Sequence, residues 1–424
     1  MKHLILGAGP AGVIAAETIR KYAPLDEITI VGDEPEAPYS RMAIPYLLIG
    51  NVGESGTHLR HTDGHFEAHR IALKRGRAKS LDGAARTVTL DDGSVLGYDR
   101  LLIATGSSPM RPPIPGIDSP GVHPCWTLED ARAIQQRAVQ GARVLQMGAG
   151  FIGCIIMEAL AVRGVQLTVV EMGDRMVPRM MGPTAGGMIK DWCQTKGVRV
   201  HTGTRVEAIE PVGGGSQALK VRLSSGDTLE VDLVISATGV KPNIGFLQGS
   251  GIATKLGVLT DVNLQSNLPG VFAAGDCAEA FDKVTGKTIV SAIQPNAADQ
   301  AYVAAMNMIG RPTELKQVTQ INVLDTLGLI STSFGDWEGD PQGQHVELTD
   351  RAAGRHLSLQ FRGDVLIGCN SIGWTNHVGV MRGLVEGRIP LGPWKDKLLH
   401  DPTQLMSAYL ARAQAQDQPA LVKA

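Results

Sequence analysis

A short apolar run that leads straight into G-x-G-x-x-G occurs twice in this chain, and that duplication fixes most of what the chain can fold into. The first copy is Leu4-Ile5-Leu6-Gly7-Ala8-Gly9-Pro10-Ala11-Gly12. The second is Val144-Leu145-Gln146-Met147-Gly148-Ala149-Gly150-Phe151-Ile152-Gly153, with Gly148 falling 141 positions after Gly7. A helix-period segment follows each, residues 13–21 and 154–163, and then a β-branched run, Ile28-Thr29-Ile30-Val31 and Leu167-Thr168-Val169-Val170. Strand, glycine turn, helix and strand make the βαβ unit of a parallel sheet. The copies keep step further on. Strand-like 87–90, the turn Asp91-Asp92-Gly93 and Leu101-Leu102-Ile103-Ala104-Thr105-Gly106 close the first. Residues 219–223, Ser225-Gly226-Asp227 and Val234-Ile235-Ser236-Ala237-Thr238-Gly239 close the second. Val271-Phe272-Ala273-Ala274-Gly275-Asp276 then returns to the first unit, so the second reads as inserted within it. From about Gln317 the pattern changes to strands over 321–333, 356–361 and 365–369, with helical stretches at 378–386 and 403–415.

The predicted fold class is therefore α/β, with two doubly wound dinucleotide-binding domains and a C-terminal α+β interface domain. The expected boundaries are 1–115 with 245–316, then 116–244, then 317–424. A glycine turn of this kind needs room for a pyrophosphate to approach the backbone at the N-terminus of the helix it opens. Both copies have a strand before, a helix after, and an acid at the end of the second strand, Asp33 and Glu171. Each carboxylate stands where it can accept hydrogen bonds from an adenosine ribose. Glu171 favours a free 2′-hydroxyl over a 2′-phosphate, hence NADH over NADPH, although Arg175, four residues on, is a cation that can soften the preference. The bland alternative is a pair of glycine-rich strand–helix turns without a ligand.

Composition narrows the partners. Lys plus Arg is 40 against 42 for Asp plus Glu, a net charge of −2, which gives no electrostatic case for nucleic acid or an anionic membrane. No window approaches 18 uninterrupted apolar residues, so no membrane span is expected. The five cysteines, Cys125, Cys154, Cys193, Cys277 and Cys369, include no C-x-x-C pair, which argues against a disulfide framework, an iron–sulfur cluster or a zinc knuckle. The reading is a cytoplasmic protein without a metal site.

The glycine motifs, with Ala104-Thr105-Gly106, Ala237-Thr238-Gly239 plus Pro242-Asn243, and Phe272-Ala273-Ala274-Gly275-Asp276, resemble the pyridine-nucleotide disulfide oxidoreductase superfamily across essentially the whole chain. Pro38-Tyr39-Ser40-Arg41 is similar to the P-Y-x-R segment of the branch holding rubredoxin and ferredoxin reductases, the nitrite reductase flavin module and apoptosis-inducing factor. The resemblance implies FAD on the first domain, held by Gly7, Gly9, Pro10, Ala11, Gly12, Asp33, Glu34, Arg41, Ala78, Ala104, Thr105, Gly106, Gly275 and Asp276. It implies NAD(P)H on the second, at Gly148, Gly150, Phe151, Ile152, Gly153, Glu171 and Gly239. Arg41, Met42, Tyr46, Gln294 and Pro295 are implied near the flavin, with the helix opening at Gln294 aimed at its N1/O2 edge. It implies a homodimer through the C-terminal domain.

Two departures from the superfamily bear on chemistry. Relatives that reduce disulfides or peroxides carry a cysteine where this chain reads Met42, and a thioether forms neither thiolate nor sulfenic acid. Relatives of the P-Y-x-R branch pair a Lys with a Glu where this chain has Tyr46 and Ile155, so both charges are absent together. The expected function is hydride transfer from NADH to FAD and onward electron transfer to a small redox protein of ferredoxin or rubredoxin type. The alternatives are an NADH oxidase or quinone reductase, a sulfur-species reductase using one of the other cysteines, and a redox-sensing flavoprotein. His61, His65 and His69 read as a solvated face, the basic run 74–79 as surface, Trp374 and His377 as interface packing, and Cys277 as a small core residue.

Overall fold

In the computed structural model, which describes residues 1–213, 217–282, 286–318 and 320–417, the repeat becomes two parallel five-stranded sheets that share the order of four strands and differ in the fifth, which comes last in the chain in one and first in the other. In the first, Val271–Ala273, Arg100–Ile103, Lys2–Leu6, Glu27–Gly32 and Ile71–Arg75 lie side by side. In the second the order is Val122–His123, Leu233–Ser236, Arg143–Met147, Gln166–Val170 and Arg199–His201. The registers correspond as well. Leu6 opposes Val31 and Ile103, and Met147 opposes Val170 and Ser236, so each glycine turn leaves its sheet at an equivalent point. Each sheet has an antiparallel three-stranded companion, Ala78–Asp82 with Thr87–Leu90 and Val95–Gly97, and Val206–Pro211 with Leu219–Leu223 and Thr228–Val231.

Strand alternation explains how the first sheet is buried on both faces. Ile5, Ile28, Ile30, Leu102 and Phe272 pack under the helices Pro10–Tyr22 and Gln294–Met308. Leu4, Leu6, Val31, Leu101, Ile103 and Val271 face the other way, onto Leu81, Val88, Leu90 and Tyr98. Small residues such as Ala15, Ala16, Ala301 and Ala304 let the two helices approach closely, which is where a chain with 4% aromatics places its many alanines. Among the described residues no helix is long and apolar enough to cross a membrane.

The chain divides into two compact units. One comprises Met1–Met110, Trp126–Leu128 and Val240–Thr319, the other Arg111–Cys125, Glu129–Gly239 and Gln320–Ala424. The second unit includes an antiparallel sheet in the order Ile321–Thr326, Leu329–Gly335, Val365–Ile372, Arg355–Arg362, Gln344–Asp350. Its Phe334, Leu357, Phe361 and Leu366 pack against Met381, Leu384, Leu398 and Leu405 of three helices. Trp192 Nε1 donates to the Thr326 and Leu327 carbonyls, both at 3.1 Å, and Asn370 donates to Met180 O at 2.9 Å while accepting from Gly182 N at 3.0 Å.

Candidate dinucleotide sites

The two glycine turns are built alike. A Cβ on Gly7, which has φ +120°, would fall 2.0 Å from Ala104 O, and one on Gly12 would fall 1.9 Å from Gly7 O. Glycine at these positions is demanded by the packing of turn, strand and helix themselves. Gly9 differs: a Cβ there meets nothing within 4 Å. It is the N-cap of Pro10–Tyr22, makes no side-chain cap hydrogen bond, and leaves the positive end of a 13-residue helix open beside empty space. The second turn repeats this. Cβ atoms on Gly148 and Gly153 would lie 2.4 Å from Ala237 O and 2.5 Å from Gly148 O, whereas Gly150, the N-cap of Phe151–Val162, again has nothing within 4 Å. Two cradles of backbone donors, each spared a side chain at one glycine, fit the diphosphates of two dinucleotides.

In the first unit the predicted residues from distant parts of the chain come together. Glu34 accepts from the Tyr39 hydroxyl and from Arg41 at 2.5 Å. The Arg41 guanidinium lies 5.2 Å from the Trp126 ring and donates to Trp126 O at 3.4 Å. Trp126 Nε1 donates to Ser107 O at 3.0 Å, and Ser107 Oγ donates to Asp276 Oδ2 at 2.7 Å. Burial pushes the Asp276 carboxyl above the usual carboxylate range, against the Ser107 hydrogen bond and the positive Arg41. Ser40 Oγ donates to Gln294 Oε1 at 2.8 Å, tying the Arg41–Ala43 turn to the helix on which Pro295 occupies the first turn. Met42 and Tyr46 are 49% and 56% exposed. Gly275 N donates to the buried Gln300, and Thr105 and Gly106 are bonded to Asn243. Asp33 lies outside this chain of contacts, 47% exposed and paired with Arg77 at 3.0 Å. Ala78 is half-buried opposite Leu90.

Sequence reasoning missed Ser107 and Trp126. Trp126 is the only tryptophan of its unit, but a lone aromatic between two glycine-rich repeats carries no periodic signal. In the histidine series His61 and His69 are exposed, as expected of a solvated face, and His65 is half-buried. His65 Nε2 contacts Glu17 Oε1 at 2.8 Å, and the His65 and His69 rings are 4.3 Å apart. Cys277 sits in the core, its Sγ directed at Ile103 O at 3.3 Å.

The raised pKa of Asp276 has a measurable consequence. In the ligand-free protein, keeping this carboxylate ionised costs stability at neutral pH, and the cost vanishes as the pH falls and the group protonates. Asp276→Asn, which can still accept from Ser107, should raise the melting temperature of flavin-free protein at pH 7 by about 2 °C or more. The gain should shrink towards zero on acidification. Thermal scans between pH 7 and pH 4 check it; a gain that does not depend on pH would contradict it.

In the second unit, Glu171 accepts from Ala149 N and Gly173 N, both at 2.7 Å. Arg175 donates through Nε to Met181 O and through Nη1 to Asp174, both at 2.8 Å, so its charge is committed within the loop. Phe151 and Ile152 begin the helix half-buried, and Gly239 closes the strand beside the turn. Ile155 is half-buried on the same helix.

Comparison with known proteins agrees with this geometry. The family model described as pyridine nucleotide-disulphide oxidoreductase matches residues 1–305. The epsilon subunit of the NADH-dependent phenylglyoxylate dehydrogenase of Aromatoleum evansii is 33% identical over 405 residues, 95% of each chain. Rhodocoxin reductase of Rhodococcus erythropolis is 31% identical over 320 residues, 75% of this chain and 74% of the relative. The solved ferredoxin reductase of Rhodopseudomonas palustris is 28% identical with a TM-score of 0.79, covering 88% of this chain and 91% of that one. A duplicated parallel sheet, two open glycine turns and a family match over both of them lead to one assignment: the chain belongs to the pyridine nucleotide-disulphide oxidoreductase family, FAD- and NAD(P)H-binding oxidoreductases.

Proposed function

We propose that this protein takes hydride from NADH onto FAD and passes the electrons to a small redox protein of ferredoxin or rubredoxin type. The observation that carries the reading is the burial of all five cysteines. Burial pushes the thiols of Cys125 and Cys193 up to about 12 and raises those of Cys154, Cys277 and Cys369. A thiol held neutral and out of solvent is neither nucleophile nor electron store. When bound, FAD supplies both the hydride acceptor and the stepwise electron release. The chain's own part is then to hold and orient. Gly9 and the open end of Pro10–Tyr22 would take the FAD pyrophosphate, Asp276 a ribityl hydroxyl, and Gln294 with Pro295 the pyrimidine edge. Gly150 and Glu171 would take NADH. The names of the rhodocoxin and ferredoxin reductases support the acceptor class. In this reading residues 1–115 and 245–316 carry FAD, 116–244 carry NADH, and 317–424 make a homodimer contact in the cytoplasm.

Anaerobic titration with dithionite should take up two electrons per FAD, and alkylation of the native protein should leave NADH-to-ferricyanide turnover within about twofold. Four electrons per FAD, or loss of turnover on alkylating one cysteine, would replace this reading with sulfur chemistry.

One observation favours a second reading of the partner. The match to a dehydrogenase subunit runs over 95% of both chains. On that reading the electron partner is a fellow subunit of a larger oxidoreductase, and native purification should return the chain in a complex of several different polypeptides.

A further inference from the structure

We propose that Val177 is a positioning residue for the pyridine nucleotide: its backbone N–H, presented from a left-handed conformation, holds the Ala149 peptide so that the second glycine turn is set for a pyrophosphate before any nucleotide arrives. The proposal rests on the reading that this turn takes NADH. Val177 has φ +48° and is 1% exposed. A β-branched residue is a rare occupant of that region, and the residue before a proline, here Pro178, is normally extended. Such a conformation persists only where the surroundings over-determine it. Here Val177 N donates to Ala149 O at 2.8 Å, and Val177 O accepts from Met180 N and Met181 N at 2.9 Å.

With Glu171 Oε2 accepting from Ala149 N, both polar groups of Ala149 are tied to the loop 171–177. The consequence follows from peptide planarity. In a trans peptide the carbonyl of one residue and the N–H of the next point to opposite sides. Drawing Ala149 O towards Val177 therefore turns Gly150 N–H the other way, at the helix N-cap whose Cβ direction is open. Drawing Ala149 N–H towards Glu171 likewise turns Gly148 O away, and Gln146 Nε2 donates to it at 2.9 Å. Two successive peptide planes are thus set by one loop.

Among the described residues the first glycine turn shows no equivalent clasp. Its acid, Asp33, pairs with Arg77, and between residues 33 and 69 no residue other than glycine has positive φ. The difference matches the use of the two ligands. FAD stays through turnover, whereas NADH binds and leaves every cycle, so a turn that is already ordered lowers a cost met each time.

Calorimetry with ADP-ribose on the FAD-loaded protein tests this without turnover. Val177→Pro, which deletes the N–H that reaches Ala149 O and cannot adopt positive φ, should weaken ADP-ribose binding by about tenfold and raise KM for NADH in like measure. FAD content and the rate of flavin reduction at saturating NADH should stay unchanged, and Val177→Ile should behave as wild type. A folded Val177→Pro protein that binds ADP-ribose as tightly as wild type overturns the proposal. A wild type that fails to bind ADP-ribose instead removes the reading on which it rests. Hydrogen exchange on the wild type needs no variant: the Val177 amide should be protected without ligand. Rapid exchange that slows only when ADP-ribose is added overturns the proposal.

Discussion

Gly9→Val should yield folded protein that is almost free of FAD. The reasoning separates this glycine from its neighbours. At Gly7 and Gly12 a side chain would strike the backbone of Ala104 or of Gly7 itself, so substitution there damages the fold and flavin loss would be uninformative. At Gly9 a Cβ has open space within 4 Å, and φ is −80°, a value any residue adopts. The valine therefore occupies only the space a pyrophosphate needs, beside the open end of Pro10–Tyr22. We expect the ratio of flavin absorbance to protein absorbance to fall by at least about tenfold, with circular dichroism unchanged. A yellow, stoichiometric Gly9→Val protein would move the FAD site elsewhere.

NADH should be preferred to NADPH by at least about tenfold in kcat/KM, equivalent to ~1.4 kcal/mol. Glu171 is fixed by Ala149 N and Gly173 N, so it cannot swing aside for a 2′-phosphate, yet its oxygens retain lone pairs for ribose hydroxyls. The nearby cation placed to compensate, Arg175, is bound to Met181 O and Asp174. Glu171→Gln removes the charge and should narrow the preference, chiefly by improving NADPH. Steady-state kinetics with both coenzymes checks it, and equal use by the wild type would show that another group governs the site.

How much of this was legible in the sequence depends on which forces leave a pattern. The central strands of both parallel sheets were, because buried strands read as apolar runs and glycines mark the turns; the edge strands Ile71–Arg75, Val122–His123 and Arg199–His201 were not, being short or polar. The C-terminal sheet was only partly legible. Gln344–Asp350 went unseen because it is a solvated edge strand whose sequence, Gln-His-Val-Glu-Leu-Thr-Asp, carries little apolar signal. The helix Trp394–His400 was also missed, since it is only seven residues long. Residue types at the glycine turns could be read because steric demand is local. The contacts of Trp126 and Val177 could not. A backbone angle and a packing of residues 19 and 28 positions apart (Trp126 against Ser107, Val177 against Ala149) exist only after folding.

The discontinuity of the flavin-side unit has a consequence for synthesis on the ribosome. Helix Pro10–Tyr22 buries its apolar face against Gln294–Met308, about 270 residues later in the chain. At 5–20 residues per second the wait is roughly 15–60 s, during which Val13, Ala16 and Ile19 lack that cover. The inserted glycine-turn sheet, complete by Ser236, is translated in full within this interval. The nascent chain thus finishes one Rossmann-like sheet while the other is still open at its Val271–Ala273 edge, and the first glycine turn waits for that edge and for Gln294–Met308 before its surroundings are complete.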